Sequence, residues 1–354
     1  MLSTRDLLVR LMACRPVTSE VARVNAAVAC VAEFLREAGV AVEWFSLDGR
    51  DILYASTRPG RVPEILVNAH LDVVPADEAL FVAREEDGWL LGRGTYDCLG
   101  NCAMLASLLA RLAGRADFGG LFSTDEEIGG ATTRHAAEQG VGARRIALIL
   151  DGRGYAVTIA QKGILGVRLV AHGTACHSSE PWRGVNAIDR LINGYLKLRP
   201  LFPPVTPPDE WHDTMAATLM QAGTVHNRVP DIAEMTLNLR LTGDVSQEEM
   251  LERLRRESGL DVEVAMASPP VFCNGGHPEV RGLMTFMRDR LGHEIEVRRT
   301  NGATDARHFL HLGIPIAILG VPGRGMHADG EAVDLAALAA YEAMLEDYLT
   351  GAGR

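Results

Sequence analysis

The sequence predicts an α/β protein with a mostly parallel sheet, helices on both faces, and an inserted smaller α+β domain. Three observations predict it. Four short runs, EILVNA (64–69), GGLFST (119–124), RIALIL (145–150) and IPIAILG (314–320), are apolar on both faces, as strands buried in a parallel sheet should be. Helical segments fall between several of them, at about 101–113 and 131–139, which is βα alternation. The segments 163–173 and 233–243 differ: apolar and polar residues alternate over much of their length, as in antiparallel strands with one solvated face.

Taken in order, MLSTRDLLVRLMACRP reads as an amphipathic first helix with Leu7, Leu8, Leu11 and Met12 on one face. It lacks the continuous apolar core and small-residue cleavage site of a signal peptide. Residues 20–38 carry a helical stripe of Val24, Val28, Val31, Phe34 and Leu35 that stops at Gly39. After the first three buried-type strands come helical stretches at about 184–197 and 246–257, with the proline-rich loop RPLFPPVTPPDEW (199–211) between them. The organisation expected is a larger domain from 1–161 and 269–354 and a smaller α+β domain inserted over 162–268. A chain of 354 residues is long enough for two domains at ~150 residues each.

Bulk properties exclude some classes. No apolar run approaches the ~20 residues that span a bilayer. The net charge of −11 argues against a nucleic-acid partner, which needs basic patches. Six cysteines (Cys14, Cys30, Cys98, Cys102, Cys176 and Cys273) form no disulfide framework, so a reducing cytoplasm is expected.

The chemistry resides in five metal-ligand side chains, His70, Asp97, Glu127, Asp151 and His327, four of them beside an apolar run. An open α/β sheet brings the residues just after its strands to one edge, where ligands bind. His70 and Asp72 point the same way if the backbone is extended, so Asp72 is placed to orient the imidazole of a ligand histidine. Asp97, in the glycine-rich GRGTYDCLGN, reads either as a carboxylate bridging two cations or as a helix N-cap. Asp125-Glu126-Glu127 follows a buried strand directly, and such a set of acids is costly without cations. Glu127 is read as a ligand and Glu126 as a general base and then acid. Asp151 ends RIALILD, where it serves as ligand or as the start of a turn. His327 follows the last buried-type strand. Cys98 and Cys102 read as small packing residues. Two histidines and three carboxylates suit Zn²⁺ or Co²⁺ better than Ca²⁺, so a metal-dependent hydrolase is expected. The sequence has no G-x-S-x-G elbow for a serine nucleophile. A metal-stabilised binding protein without turnover is the distant alternative, disfavoured by the spare acid Glu126.

These motifs resemble the zinc aminoacylase/carboxypeptidase family that includes acetylornithine deacetylase and succinyl-diaminopimelate desuccinylase, over nearly the whole chain. The resemblance implies the metal-dependent exopeptidase-like fold, two Zn²⁺ per subunit (Co²⁺ substituting), and hydrolysis of an N-acyl amino acid. A di- or tripeptidase or carboxypeptidase is the alternative. The family's strand-His-x-Asp matches His70 and Asp72, its GRG-x-x-D matches Asp97, its Glu-Glu-x-Gly matches Glu126 and Glu127, and its last two ligands match Asp151 and His327. Its G-x-x-x-H-S-x-x-P-x-x-G-x-N-A matches 173–187 and implies that His177 reaches a partner subunit's site to stabilise the oxyanion, hence a homodimer through the lid. N-x-x-P…R implies substrate contacts from Asn227 and Arg240, and G-x-x-D-x-R-F nominates Arg307. Two positions depart from the pattern. Leu99 stands where relatives usually carry Lys, and Ala303 stands for the desuccinylase Thr, which puts succinyl specificity in doubt.

Overall fold

Strand composition dictates the centre of the molecule. In the computed structural model, which describes residues 2–351, Ile65–His70, Phe118–Ser123 and Ile146–Ile149 are buried at every position. They lie adjacent and parallel, with Ile316–Ile318 parallel to Ile146–Ile149. The nine-stranded sheet runs Val42–Leu47, Arg50–Ser56, Phe118–Ser123, Ile65–His70, Ile146–Ile149, Ile316–Ile318, Ala156–Gln161, Val271–Phe272, with Glu296–Thr300 paired to Ala156–Gln161. The hairpin Val42–Leu47/Arg50–Ser56 adds an antiparallel edge closed by Asp48-Gly49, both at positive φ, a turn whose twist matches that of the paired strands.

Alternation along the central strand separates the two faces. Ile65, Val67 and Ala69 enter the main core with residues of the helices Thr4–Ala13, Val21–Glu37, Leu99–Leu112, Pro278–Leu291 and Leu335–Thr350. Asn68 faces the other way and donates to Ser123 Oγ at 3.4 Å; Ser123 and Thr133 in turn donate to Asp305 at 2.7 and 2.6 Å. This second face carries the helix Ala131–Glu138 and the 3₁₀ segment Asp305–Leu312. The helix Leu99–Leu112 is buried on nearly every side, as its continuous apolar sequence requires.

The chain forms two compact units. The first comprises the chain up to Ile159, Phe272–Arg298 and the part from Thr304 on; the second comprises Ala160–Val271 and Arg299–Ala303. The second unit is built on an antiparallel sheet in the order Thr214–Ala222, Ile232–Leu241, Gly163–His172, Asp261–Ser268. Ile232–Leu241 alternates in burial, with Ala233, Met235, Leu237, Leu239 and Leu241 inside against the helices Ala187–Leu198 and Gln247–Ser258. Gly163–His172 departs from the expected alternation: its first five residues are all buried. No helix of the described residues is long and apolar enough to cross a membrane.

Gly120 tests the packing. A Cβ there would sit 2.7 Å from Leu109 Cδ1 and 3.2 Å from Leu105 Cδ1. Gly120→Val is expected to lower unfolding free energy by about 1–3 kcal/mol through overpacking, measured by urea titration. An unchanged midpoint would show that the helix–sheet contact is looser than described.

Candidate metal centre

The parallel strands deliver their following residues to one edge. His70 closes its strand, Asp151 follows Ile146–Ile149 by two residues, and the Glu126–Ile128 turn follows Phe118–Ser123. The loop carrying Asp151 needs a close backbone approach. Gly152 N–H donates to Leu319 O at 3.1 Å, and a Cβ on Gly152 would fall 2.7 Å from the Leu319 backbone.

Asp97 stands between two donor groups. Its Oδ1 lies 3.0 Å from His70 Nε2, and its Oδ2 lies 3.1 Å from His327 Nε2. His70 Nε2 is also 4.0 Å from Asp151 Oδ1, and His327 Nε2 is 3.2 Å from Glu127 Oε1. Donor atoms of His70, Glu126 and Asp151 lie within 4.8 Å of one another, as do those of Asp97, Glu127 and His327. All five expected ligands and Glu126 are therefore brought together. The N-cap of Leu99–Leu112 is Cys98, with no side-chain cap, so the Asp97 carboxylate faces the donor cluster instead.

Asp72 does more than face His70. His70 Nδ1 is 2.9 Å from the Asp72 backbone carbonyl and 3.5 Å from Asp72 Oδ1. The Asp72 carboxylate accepts the N–H groups of Glu126 and Glu127 at 3.1 and 3.3 Å and the Thr18 hydroxyl at 2.9 Å. It fixes the turn that presents both glutamates. Glu331, absent from the sequence-derived set, plays a matching part for Asp97. Fully buried, it accepts the N–H groups of Tyr96 and Asp97 at 3.1 and 3.0 Å and pairs with Arg93 at 2.5 Å. No spacing rule links residue 331 to residue 97, so the sequence alone carries no signal for it.

The electrostatics fit a cation centre. Burial, then the neighbouring Asp151 charge, pushes the Glu126 carboxyl well above its usual range. Burial and Asp97 do the same to Asp151. Hydrogen bonds to Asp97 and Glu127 raise His327 to about 10. Burial opposes a charge on His70, but the Cys98 sulfur and the Asp72 and Asp97 carboxylates outweigh it and raise that imidazole as well. Protons are thus drawn in to neutralise crowded carboxylates, a task that divalent cations perform better. The donor set of imidazole nitrogens and carboxylate oxygens fits such ions.

The remaining site residues lie elsewhere in the chain's architecture. Arg307 belongs to the first unit, its Nε donating to His308 Nε2 at 3.2 Å, and that nitrogen lies 3.2 Å from Gly129 O beside the glutamate turn. His177, Asn227 and Arg240 belong to the second unit. His177 is exposed, its Nδ1 2.7 Å from Ser179 Oγ, and it pairs with Arg228 in a short ladder where Ser178 N–H donates to Asn227 O at 3.0 Å. Arg240 lies in the sheet opposite Ile164 and Thr214, its Nε donating to Asn238 Oδ1 at 3.2 Å.

Fold and donor set define a hydrolase of the metal-dependent class. Residues 66–351 match the family model "Peptidase family M20/M25/M40". The chain is 31% identical to a succinyl-diaminopimelate desuccinylase of Methylobacterium radiotolerans, covering 91% of each chain, and 25% identical to that of Dechloromonas aromatica, covering 98% of this chain and 99% of the relative. An M20 family metallo-carboxypeptidase of Sulfolobus solfataricus has the same fold, with a TM-score of 0.80 at 17% identity over 99% of both chains. The chain belongs to peptidase family M20/M25/M40, whose members are metal-dependent hydrolases.

Ligands must lose their protons to bind. His327, raised to about 10, carries a proton at pH 7 without metal, and His70 and Asp151 are raised as well, so cation binding should release protons and weaken as pH falls. Calorimetry in buffers of different ionisation enthalpy measures this, and binding without proton release would contradict the charge balance described.

Proposed function

We propose that this protein hydrolyses the amide bond of an N-acyl amino acid, with His70, Asp97, Glu127, Asp151 and His327 holding two zinc ions. Asp97 is the bridging ligand in this reading, supported by its two oxygens facing separate donor groups. Co²⁺ is expected to substitute. When bound, such ions polarise a carbonyl and acidify a water. The single observation that carries the reading is Glu126, a half-buried carboxyl within the donor cluster with its proton affinity raised.

Glu126 takes a proton from the attacking water and passes it to the leaving amine, a dual role that suits a carboxyl whose proton affinity is raised. Asp72 holds Glu126 in place through its backbone N–H. In the homodimer of this reading His177 of one protomer reaches the site of the other and donates to the carbonyl oxygen as negative charge develops there. Arg240 and Arg307 hold the substrate carboxylate by their planar forks, and Asn227 is a further substrate contact. The curated relatives named as desuccinylases support an acyl amino acid substrate, while Ala303 leaves the acyl group open.

The residues 162–268 serve in this reading as lid and dimerisation domain. The outer strand Thr214–Ala222 supports a homodimer, since it leaves one edge unpaired and exposes Leu219 and Met220. The cysteines, all free, support a reducing, cytoplasmic setting.

Glu126→Gln should lower kcat by about 10²–10⁴-fold while zinc content stays at the wild-type level. Retained turnover in that variant would remove Glu126 from the chemistry. His177→Ala should cost about 10²–10³-fold in kcat, and a loss under about twofold would exclude an oxyanion contact. N-acetyl, N-succinyl and dipeptide substrates assayed on zinc- and cobalt-loaded protein separate the deacylase from the peptidase reading.

A further inference from the structure

One fully buried acid has no part in the chemistry above. Asp305 opens the 3₁₀ segment Asp305–Leu312. Its Oδ2 accepts two hydroxyls, from Ser123 at 2.7 Å and from Thr133 at 2.6 Å. Its Oδ1 is buried without a hydrogen-bond partner among the described residues, 4.0 Å from His308 Nε2.

The two hydroxyls bracket the glutamate turn. Ser123 ends the strand Phe118–Ser123, and Thr133 lies in the first turn of the helix Ala131–Glu138. Residues 124–132, with Asp125, Glu126 and Glu127, run between them. That stretch is closed on itself. Gly130 N–H donates to Asp125 O at 2.8 Å, and the Asp125 carboxylate accepts the Thr132 N–H at 3.0 Å. Asp72 holds the N–H groups of the two glutamates, while Asp305 holds the entrance and the exit of the turn.

The end of the turn lies close against the 3₁₀ segment. Gly130 has a φ of +65°, and a Cβ there would fall 2.1 Å from Asp305 Oδ1 and 2.8 Å from His308 Nε2. His308 Nε2 is also 3.2 Å from the Gly129 carbonyl oxygen. Packing alone does not call for a carboxylate in this interior, because an acid costs more to bury than an apolar group of similar size. What the acid adds is one oxygen that gathers hydroxyls from both sides of the turn.

We propose that Asp305 is a positioning residue for Glu126, locking both ends of the turn so that the carboxyl stands where proton transfer needs it. The inference rests on the reading of Glu126 as general base and then acid. A misplacement of about 1 Å in a reacting group costs about 10²-fold in rate. Asp305 acts by accepting hydrogen bonds, so an amide oxygen can replace it.

The test measures kcat, KM and zinc content of the zinc-loaded full-length protein on its best substrate from the acyl and dipeptide set. Asp305→Ala should lower kcat by about 10–100-fold, with KM and zinc content at wild-type values. Asp305→Asn should restore most of that loss, because its carbonyl oxygen has two lone pairs for the two hydroxyls. In a Glu126→Gln background Asp305→Ala should add no further loss, since the group it aims is already gone. Wild-type kcat in Asp305→Ala, a fall that tracks lost zinc, or a full further loss in the double variant would each overturn the proposal. Undiminished kcat in Glu126→Gln is a separate result that removes the reading of Glu126 and this inference with it. Should Asp305→Ala misfold, Thr133→Val removes one of the two hydroxyls at nearly constant shape. Its kcat should then fall in the wild type but not in the Glu126→Gln background, and an unchanged kcat would overturn the proposal.

Discussion

Mutual repulsion among carboxylates at one sheet edge is the constraint on which the rest of the site depends. Glu126 and Asp151 offer oxygens within 4.8 Å of each other, as do Asp97 and Glu127. Two unit charges at that separation repel by roughly 3–4 kcal/mol at an effective dielectric of 20. A fold that brings four such acids together needs a compensating positive charge. Raised imidazoles provide it in the bare protein, the raised proton affinity of Glu126 and Asp151 lessens the repulsion itself, and cations supply the charge in the reading proposed above.

The supporting residues make sense against that repulsion. Asp72 collects the backbone N–H groups of Glu126 and Glu127, so the glutamate turn is held from below by hydrogen bonds rather than by the glutamates' own charges. Glu331 performs the same service for the Asp97 loop, with its own charge balanced by Arg93. Each buried acid outside the donor cluster thus points toward N–H groups, hydroxyls or a guanidinium, which is what keeps a buried carboxylate tolerable.

Much of this was legible in the sequence, for local reasons. The four parallel strands announce themselves because strands covered on both faces are apolar throughout, and four of the five donors stand out because they lie beside such a run. The helices Ala187–Leu198 and Gln247–Ser258 fall where periodicity places them. Other parts escape local reading. Leu335–Thr350 has apolar residues on several faces and no single stripe, and the outer strand Thr214–Ala222 is mostly exposed, so neither presents a clean period. Glu331 is invisible because its role is defined by a partner 234 residues away.

That long separation has a consequence for the order of assembly. Asp97 is aimed by Glu331 and meets His327, yet both of those residues come near the close of the described chain. During synthesis the early strands can pair while Asp97 still lacks its brace and one of its imidazole neighbours. A nascent polypeptide that has not yet released residues 327 and 331 would therefore hold no finished donor cluster, so the cluster closes after the central strands have paired rather than seeding them.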